Sequence, residues 1–376
     1  MTSSAVNLAL VSACADRSVA SAETTSSESS TTIATLAASS DSTTNTNGDS
    51  TSTTTGGCVP RVDIGAFTQI SALAIGTTER YDMDRDGRLD VVGGRGVVVS
   101  ADLEVEVIVD DAPNELGHPG VFDGDDLPDM AWAVPSPSGF VVYPASGGEP
   151  VVSALPESVY FDARDVDGDG IDDVAIYESG NTSVWRGSAS GSFTKLADVQ
   201  SAATAYPTFF RHADGIYLAV SDEYSVDFEV YRYDAGTFTL ATTFMLLQAY
   251  SLDAVIPFED DTEYLLATQS WTQLTTMSSI GLFLMEDDGW TGWGVDFDGQ
   301  LPLNAALGDL DDDGIGEIAV ASEGGWLAIL CWTGEDLALC GEREDLPGLQ
   351  VELMRGRVLA AGDGVWVADA TLSACR

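Results

Sequence analysis

Lysine occurs once in the 376 residues (Lys195) and histidine twice (His118 and His212), against 61 aspartates and glutamates. With 15 lysines and arginines in all, the formal net charge is −46. So few cations argue against a nucleic-acid backbone or an anionic membrane surface as partner, because each needs a cationic patch. They equally argue against His-ligated zinc, Ser-His-Asp hydrolysis and phosphate grasping by lysine. No apolar run reaches 18 residues, so nothing spans a membrane as a helix. A Gly-x-Ser-x-Gly elbow, a P-loop and a dinucleotide fingerprint are all missing. Paired carboxylates for glycoside hydrolysis stay open in so acidic a chain, although nearly all conspicuous pairs fall in the loops described below. What is present in quantity is apolar residue, 44% of the chain, enough to bury a core.

That core does not begin at the N-terminus. Ser18 to Gly57 holds 23 serines and threonines in 40 residues. Such a stretch buries too little apolar surface to offset its ordering entropy, which predicts a disordered Ser/Thr-rich tether over residues 15–57. Its coil would reach about 35–40 Å. Ahead of it, within residues 1–14, Val11-Ser-Ala-Cys14 follows a short apolar stretch and resembles the bacterial lipobox, which implies lipidation of Cys14 and an exported protein.

Residues 58–376 are built from a repeat. Three segments share one pattern, beginning Asp82-Met-Asp84-Arg-Asp86-Gly87, Asp165-Val-Asp167-Gly-Asp169-Gly170 and Asp309-Leu-Asp311-Asp-Asp313-Gly314. Each carries a further carboxylate at the ninth position (Asp90, Asp173, Glu317), followed by a β-branched run. A fourth copy, Asp123-Gly-Asp125-Asp126-Leu-Pro-Asp129, lacks the first carboxylate and the glycine. Echoes near 210, 257 and 352 complete seven units, about 46 residues each over the 319 residues from Cys58 to Arg376. Between loops the chain reads as short strands, with little helical periodicity. Repeats of 40–50 residues with about four strands each predict an all-β, seven-bladed β-propeller.

The Asp-rich loops leading into hydrophobic strands, with Gly191-Ser-Phe193-Thr and Gly236-Thr-Phe238-Thr between them, resemble FG-GAP/VCBS repeats, the blades of the integrin-α-like propeller. The resemblance implies calcium bound in loops between the strands of a blade. Calcium takes six to eight oxygens, and carboxylates at positions 1, 3, 5 and 9 with the carbonyl of position 7 supply them. The expected ligand sets are Asp82, Asp84, Asp86, Arg88 and Asp90; Asp165, Asp167, Asp169, Ile171 and Asp173; and Asp309, Asp311, Asp313, Ile315 and Glu317. The second unit offers Asp123, Asp125 and Asp129, with weak binding or none expected. EF-hands and dockerins follow the same nonapeptide with a helix, whereas Asp90-Val-Val and Glu317-Ile-Ala-Val open strands.

Cys331 and Cys340 flank a hairpin centred on Glu335-Asp336, which sets them opposite one another for a disulfide. Cys58 and Cys375 lie at the two ends of the domain and would staple a closed ring. His118, in Gly117-His-Pro-Gly, is read as a turn residue, and His212 as the mark of a blade that lost its metal. Tyr250, Trp271, Trp290 and Trp293 read as blade packing, with a sugar- or peptide-stacking patch as the sharper alternative. The functional expectation is a monomeric, non-enzymatic surface or secreted binding, adhesion or scaffolding module, taking calcium and a protein or glycan ligand. A lectin and a polysaccharide-degrading enzyme are the alternatives. Exposed tryptophans would favour the first, and carboxylates facing the channel the second.

Overall fold

The computed structural model describes residues 59–373, apart from 111, 114–115, 136–137, 157–159, 179–180, 200–206, 213–214, 222–226, 246–248, 259–261, 271–276, 287–288, 299 and 323. The tether, Cys14, Cys58, Cys375 and Trp271 lie outside the described residues.

The described residues form seven antiparallel sheets in chain order, a seven-bladed β-propeller. Blade 1 spans residues 78–107, blade 2 117–153, blade 3 161–199, blade 4 207–245, blade 5 249–298 and blade 6 302–344. Blade 7 is built from both ends of the domain. Gln350–Met354, Arg357–Ala361 and Val365–Ser373 supply three of its strands, and Arg61–Ile64 and Thr68–Ser71 both pair with Val365–Ser373. The ring is closed within this blade: Thr68 stands opposite Val367 and Gln69 opposite Trp366.

Radial geometry explains the hydrophobic pattern. Side chains on a strand alternate between two faces, and each face of a blade packs on a different neighbour. Val91 and Val92 show this: Val91 joins a cluster with Leu359 and Val365 of blade 7, and Val92 one with Met130 and Trp132 of blade 2. Seven such clusters occupy the seven blade–blade interfaces, so the core is the set of interfaces. Second strands are therefore apolar on both faces, and Glu317–Ser322 is buried at every position.

The Gly-x-Phe-Thr segments turn the outer hairpins. Gly191 and Gly236 take φ of 68° and 91°, where a Cβ is strained, and Phe193 then packs between Phe122 and Phe140.

Two local readings change, and one holds. His118 is not in a turn: Gly117–Gly120 is the innermost strand of blade 2. An innermost strand is an edge on its channel side, so Pro119 loses no ladder bond there. At Gly117 a Cβ would stand 2.5 Å from the Trp132 ring. The Cys331–Cys340 disulfide is formed, but its hairpin is centred one residue earlier. Trp332 faces Leu337 and Cys331 faces Ala338, while a bulge after Ile329 brings Cys340 diagonally to Cys331, with Cα atoms 5.8 Å apart. Trp290 and Trp293 are packing residues: Trp293 lies edge-on to Trp332 at 5.2 Å, and Trp290 lies 6.2 Å from Phe210. The Tyr250 side chain lies outside the described atoms.

Candidate metal-binding loops

The nonapeptides occupy one place in the fold, the loop from first to second strand in blades 1, 2, 3 and 6. All four have the same backbone. Position 4 is left-handed in each (Arg85 φ 60°, Gly124 73°, Gly168 80°, Asp312 68°), and so is position 6 (Gly87 85°, Asp126 63°, Gly170 85°, Gly314 84°). Asp126 thus takes the glycine's conformation in the degenerate loop; aspartate is among the few residues that tolerate it.

Carboxylates hold that backbone in place. At position 5, Asp86, Asp125, Asp169 and Asp313 each accept the amide N–H of position 7, at 2.8, 2.9, 3.0 and 2.8 Å. The ninth-position carboxylates Asp90, Asp129, Asp173 and Glu317 each accept the amide of position 2, at 3.1, 3.0, 3.2 and 2.8 Å. Asp90, Asp129 and Asp173 also take an amide from beyond the third strand: Ala101, Ala145 and Gly187. At position 1, Asp82, Asp165 and Asp309 accept the N–H of the glycine at position 6. Blade 2 has Val121 at that position, and its N–H donates instead to Asp172 Oδ2 of blade 3.

With the loops so folded, carboxylate oxygens converge. Those of Asp82, Asp84 and Asp86, of Asp123, Asp125 and Asp129, of Asp165, Asp167 and Asp169, and of Asp309, Asp311 and Glu317 each lie within 4.8 Å of one another. Asp90, Asp173 and Asp313 stand outside the clusters of their own loops. Arg88, Ile171 and Ile315, named for their carbonyls, are tied in through their amides. The Arg88 guanidinium additionally bonds Asp86 and Asp102, which holds both acids below their ordinary range.

These residues suit a hard cation. Asp82 Oδ1 and Asp167 Oδ1 are buried without a hydrogen-bond partner, although the other oxygen of Asp167 pairs with Arg186 at 2.6 Å; an unpartnered buried carboxylate oxygen is expensive unless something positive meets it. Burial, with neighbouring acids adding to it, pushes Asp173 and Glu317 up to about 7 and Asp129 to about 6. Four clusters of exclusively oxygen donors could each hold a metal ion of the oxygen-seeking kind.

Among the described residues, the echo units show no converging acids. In blade 4 the first strand runs through His212, which pairs with Gly215, so two residues separate the strands. Blade 5 keeps a loop, but its Glu263 turns inward to a bidentate ion pair with Arg164 of blade 3.

The innermost strands enclose a channel that the sequence did not reveal. Glu79, His118 and Asp162 enter it from three consecutive blades, His118 Nε2 lying 3.3 Å from Glu79 Oε2 and 3.2 Å from Asp162 Oδ1. Each sits three residues before its loop, a recurring polar position that was the available signal. Polar side chains also stitch neighbouring blades: Asp162 accepts the Phe209 amide, Thr208 donates to the Leu252 carbonyl, and Asn304 accepts the Val351 amide.

No protein-family model matches the sequence, and no curated protein does. Solved structures match in fold. The chain is similar to BBS1N, solved in complex with ARL6DN, with a TM-score of 0.53 and 13% identity, covering 83% of this chain and 97% of that one. It is also similar to virginiamycin B lyase from Staphylococcus aureus, with a TM-score of 0.54 and 10% identity, covering 83% and 100%. At these identities the likeness establishes a shared propeller fold.

Proposed function

We propose that the chain is an FG-GAP/VCBS-type propeller that binds calcium in its first-hairpin loops and acts, without catalysis, as an exported binding or scaffolding module. The observation that carries this is the loop geometry. Four units of unequal sequence share two left-handed positions and one set of carboxylate–amide bonds, and each gathers three acids. Calcium is the reading favoured by all-oxygen donors, since it accepts irregular shells of six to eight oxygens; magnesium demands tighter octahedral geometry. Calcium would fix the loop face of the ring, and partners would meet a surface set by that rigidity. BBS1N, similar in fold, is seen with a protein partner, ARL6DN, which fits a propeller serving as a docking platform.

The Cys331–Cys340 disulfide favours an oxidising compartment outside the cytoplasm. With Val11-Ser-Ala-Cys14 as lipobox, the domain would be held at a bacterial outer-membrane or cell surface on its Ser/Thr tether. Changing Cys14 to Ser should then release the protein from detergent extracts into the aqueous phase.

The channel carboxylates are what an enzyme reading would need. Glu79 and Asp162, however, share His118, and Asp162 also takes the Phe209 amide, which casts them as wall braces. The packed Trp290 and Trp293 remove two of the four aromatics on which the lectin reading leaned. The test is a glycan and protein pull-down array run with calcium and with chelator, beside a polysaccharide hydrolysis screen. Calcium-dependent retention without turnover is expected. Turnover lost on Asp253→Asn would contradict the non-enzymatic reading.

A further inference from the structure

The loops of blades 2 and 3 are bonded to one another in both directions. The Asp172 amide donates to the Val121 carbonyl at 2.7 Å, and the Val121 amide donates to Asp172 Oδ2 at 2.7 Å. Val121 opens the loop of blade 2. Asp172 is position 8 in blade 3, where the other three loops carry Leu89, Pro128 and Gly316. The backbone half of this link recurs, since the Gly316 amide reaches the Pro257 carbonyl of blade 5 at 2.8 Å. The carboxylate half needs an acid at position 8, and of the four loops only that of blade 3 has one. Its place is built: at Gly120 a Cβ would stand 2.7 Å from Asp172 Oδ2, so a glycine is what lets the carboxylate come so close. Beside it Ile171, 8% exposed, covers Gly124, where a Cβ would stand 3.3 Å from Ile171 Cδ1.

We infer, resting on the calcium reading above, that occupancy of blade 3's loop also orders the loop of blade 2, with Asp172 as the positioning residue that joins them. One ion then serves two loops.

Blade 2's loop lacks what braces its counterparts from within. In blades 3 and 6 the position-1 carboxylate, Asp165 or Asp309, accepts the amides of positions 4, 5 and 6. Val121 offers no such acceptor. The bonds from the Asp125 amide to Asp123 and from the Leu127 amide to Asp125 are exposed. A segment held by few, solvent-exposed hydrogen bonds opens locally at small free energy.

The neighbouring loop supplies the missing support, and it is organised around its own acids. Asp165, Asp167 and Asp169 converge there, and Asp169 holds the Ile171 amide at 3.0 Å. Whatever fixes Asp165 and Asp169 therefore fixes Ile171 and Asp172 where they meet Gly124 and Val121. The link does not run on to blade 1 in the same way, because position 8 of blade 2 is Pro128, which has no N–H to donate.

The experiment follows backbone hydrogen exchange in the full chain, metal-stripped and then calcium-saturated, in peptides covering residues 121–129, 165–173 and 309–317. Calcium should slow exchange in all three. Asp167→Ala should abolish the slowing in 165–173 and cut that in 121–129 about tenfold, a coupling of ordinary size, while 309–317 keeps its own. Asp172→Ala should leave the calcium stoichiometry and the protection of 165–173 unchanged and reduce that of 121–129 by the same factor. Asp172→Asn, whose Oδ1 can still accept the Val121 N–H, should restore it. A merely structural brace would loosen 121–129 in Asp172→Ala equally with and without calcium, and that result would overturn the coupling. So would unchanged protection of 121–129 in Asp167→Ala, or an equal loss in 309–317. Calcium that slows none of the three peptides would refute the calcium reading itself, and the coupling with it. If Asp167→Ala does not fold, Asp167→Asn is read against the same criteria.

Discussion

Arg164 of blade 3 and Glu263 of blade 5 meet inside the channel in a bidentate ion pair of 2.7 and 2.6 Å, reaching past the blade between them. That blade is not bypassed, because Glu263 Oε2 also accepts the Arg211 amide at 2.6 Å. One side chain from a degenerate loop therefore ties three blades together. Glu263→Gln should destabilise the domain by about 2–4 kcal/mol, since it leaves a mostly buried guanidinium without its counter-charge. Denaturant unfolding with an unchanged midpoint would contradict this role.

Stability should fall as pH rises through neutrality. Glu352 is 4% exposed and titrates near about 7 in the folded domain, pushed up by burial. Unfolded, a glutamate titrates near ~4.3, so between those values the folded state holds a proton that the unfolded chain has released. The resulting stability is complete below ~4.3 and is lost as pH climbs through about 7. Glu79 and Asp253 act with the same sign, and so does His118 between its ordinary value and about 10. A calcium-saturated sample should melt higher at pH 6 than at pH 8. Glu352→Gln should narrow that gap; a gap unchanged in the variant would remove Glu352 from the account.

Blades 1, 3 and 6 were legible because their acidic loop is local: nine consecutive residues carry the whole pattern from Asp82, Asp165 and Asp309. Blade 2 was half legible, since its Asp126 performs a glycine's conformational task that residue type alone does not advertise. The channel belt was not legible. Glu79, His118, Asp162, Asp253 and Glu352 come from five blades, and only closure of the ring brings them together. His118 was misread for a related reason: beside a glycine and a proline it resembles a turn, and only an edge on an open channel makes Pro119 acceptable in a strand. The Cys331–Cys340 pairing was right while its register was not, because the turn is centred one residue earlier and Cys340 falls in the bulge between the partners of Leu330 and Ile329.

The degenerate loop can be repaired. Asp126→Gly should stabilise the domain by about 0.5–1 kcal/mol by relieving a left-handed non-glycine. Combined with Val121→Asp, it should raise the calcium stoichiometry by one. A double variant that gains no site would show that Asp172, bonded to the Val121 amide, blocks the position.

Peptide mapping without reductant should recover Cys331 linked to Cys340, and Cys58 linked to Cys375 in a separate peptide. Losing the first bond should cost about 2–3 kcal/mol on chain-entropy grounds, and losing the second, which spans the whole ring, up to ~5 kcal/mol. Cys58 recovered free, or bridged to Cys331, would refute the stapled seam.

Calorimetric titration of the metal-stripped chain measures whether the converged acids hold calcium. At least three calcium ions per chain are expected. At ~1 mM calcium and a dissociation constant near ~10⁻⁴ M, each should stabilise the fold by about 1.4 kcal/mol. Asp167→Ala, which deletes a carboxylate with an unpartnered buried oxygen, should remove one site and leave the others intact. Three or more sites, falling by one in the variant, is the expected result; fewer than two sites in the unmodified chain would contradict the account.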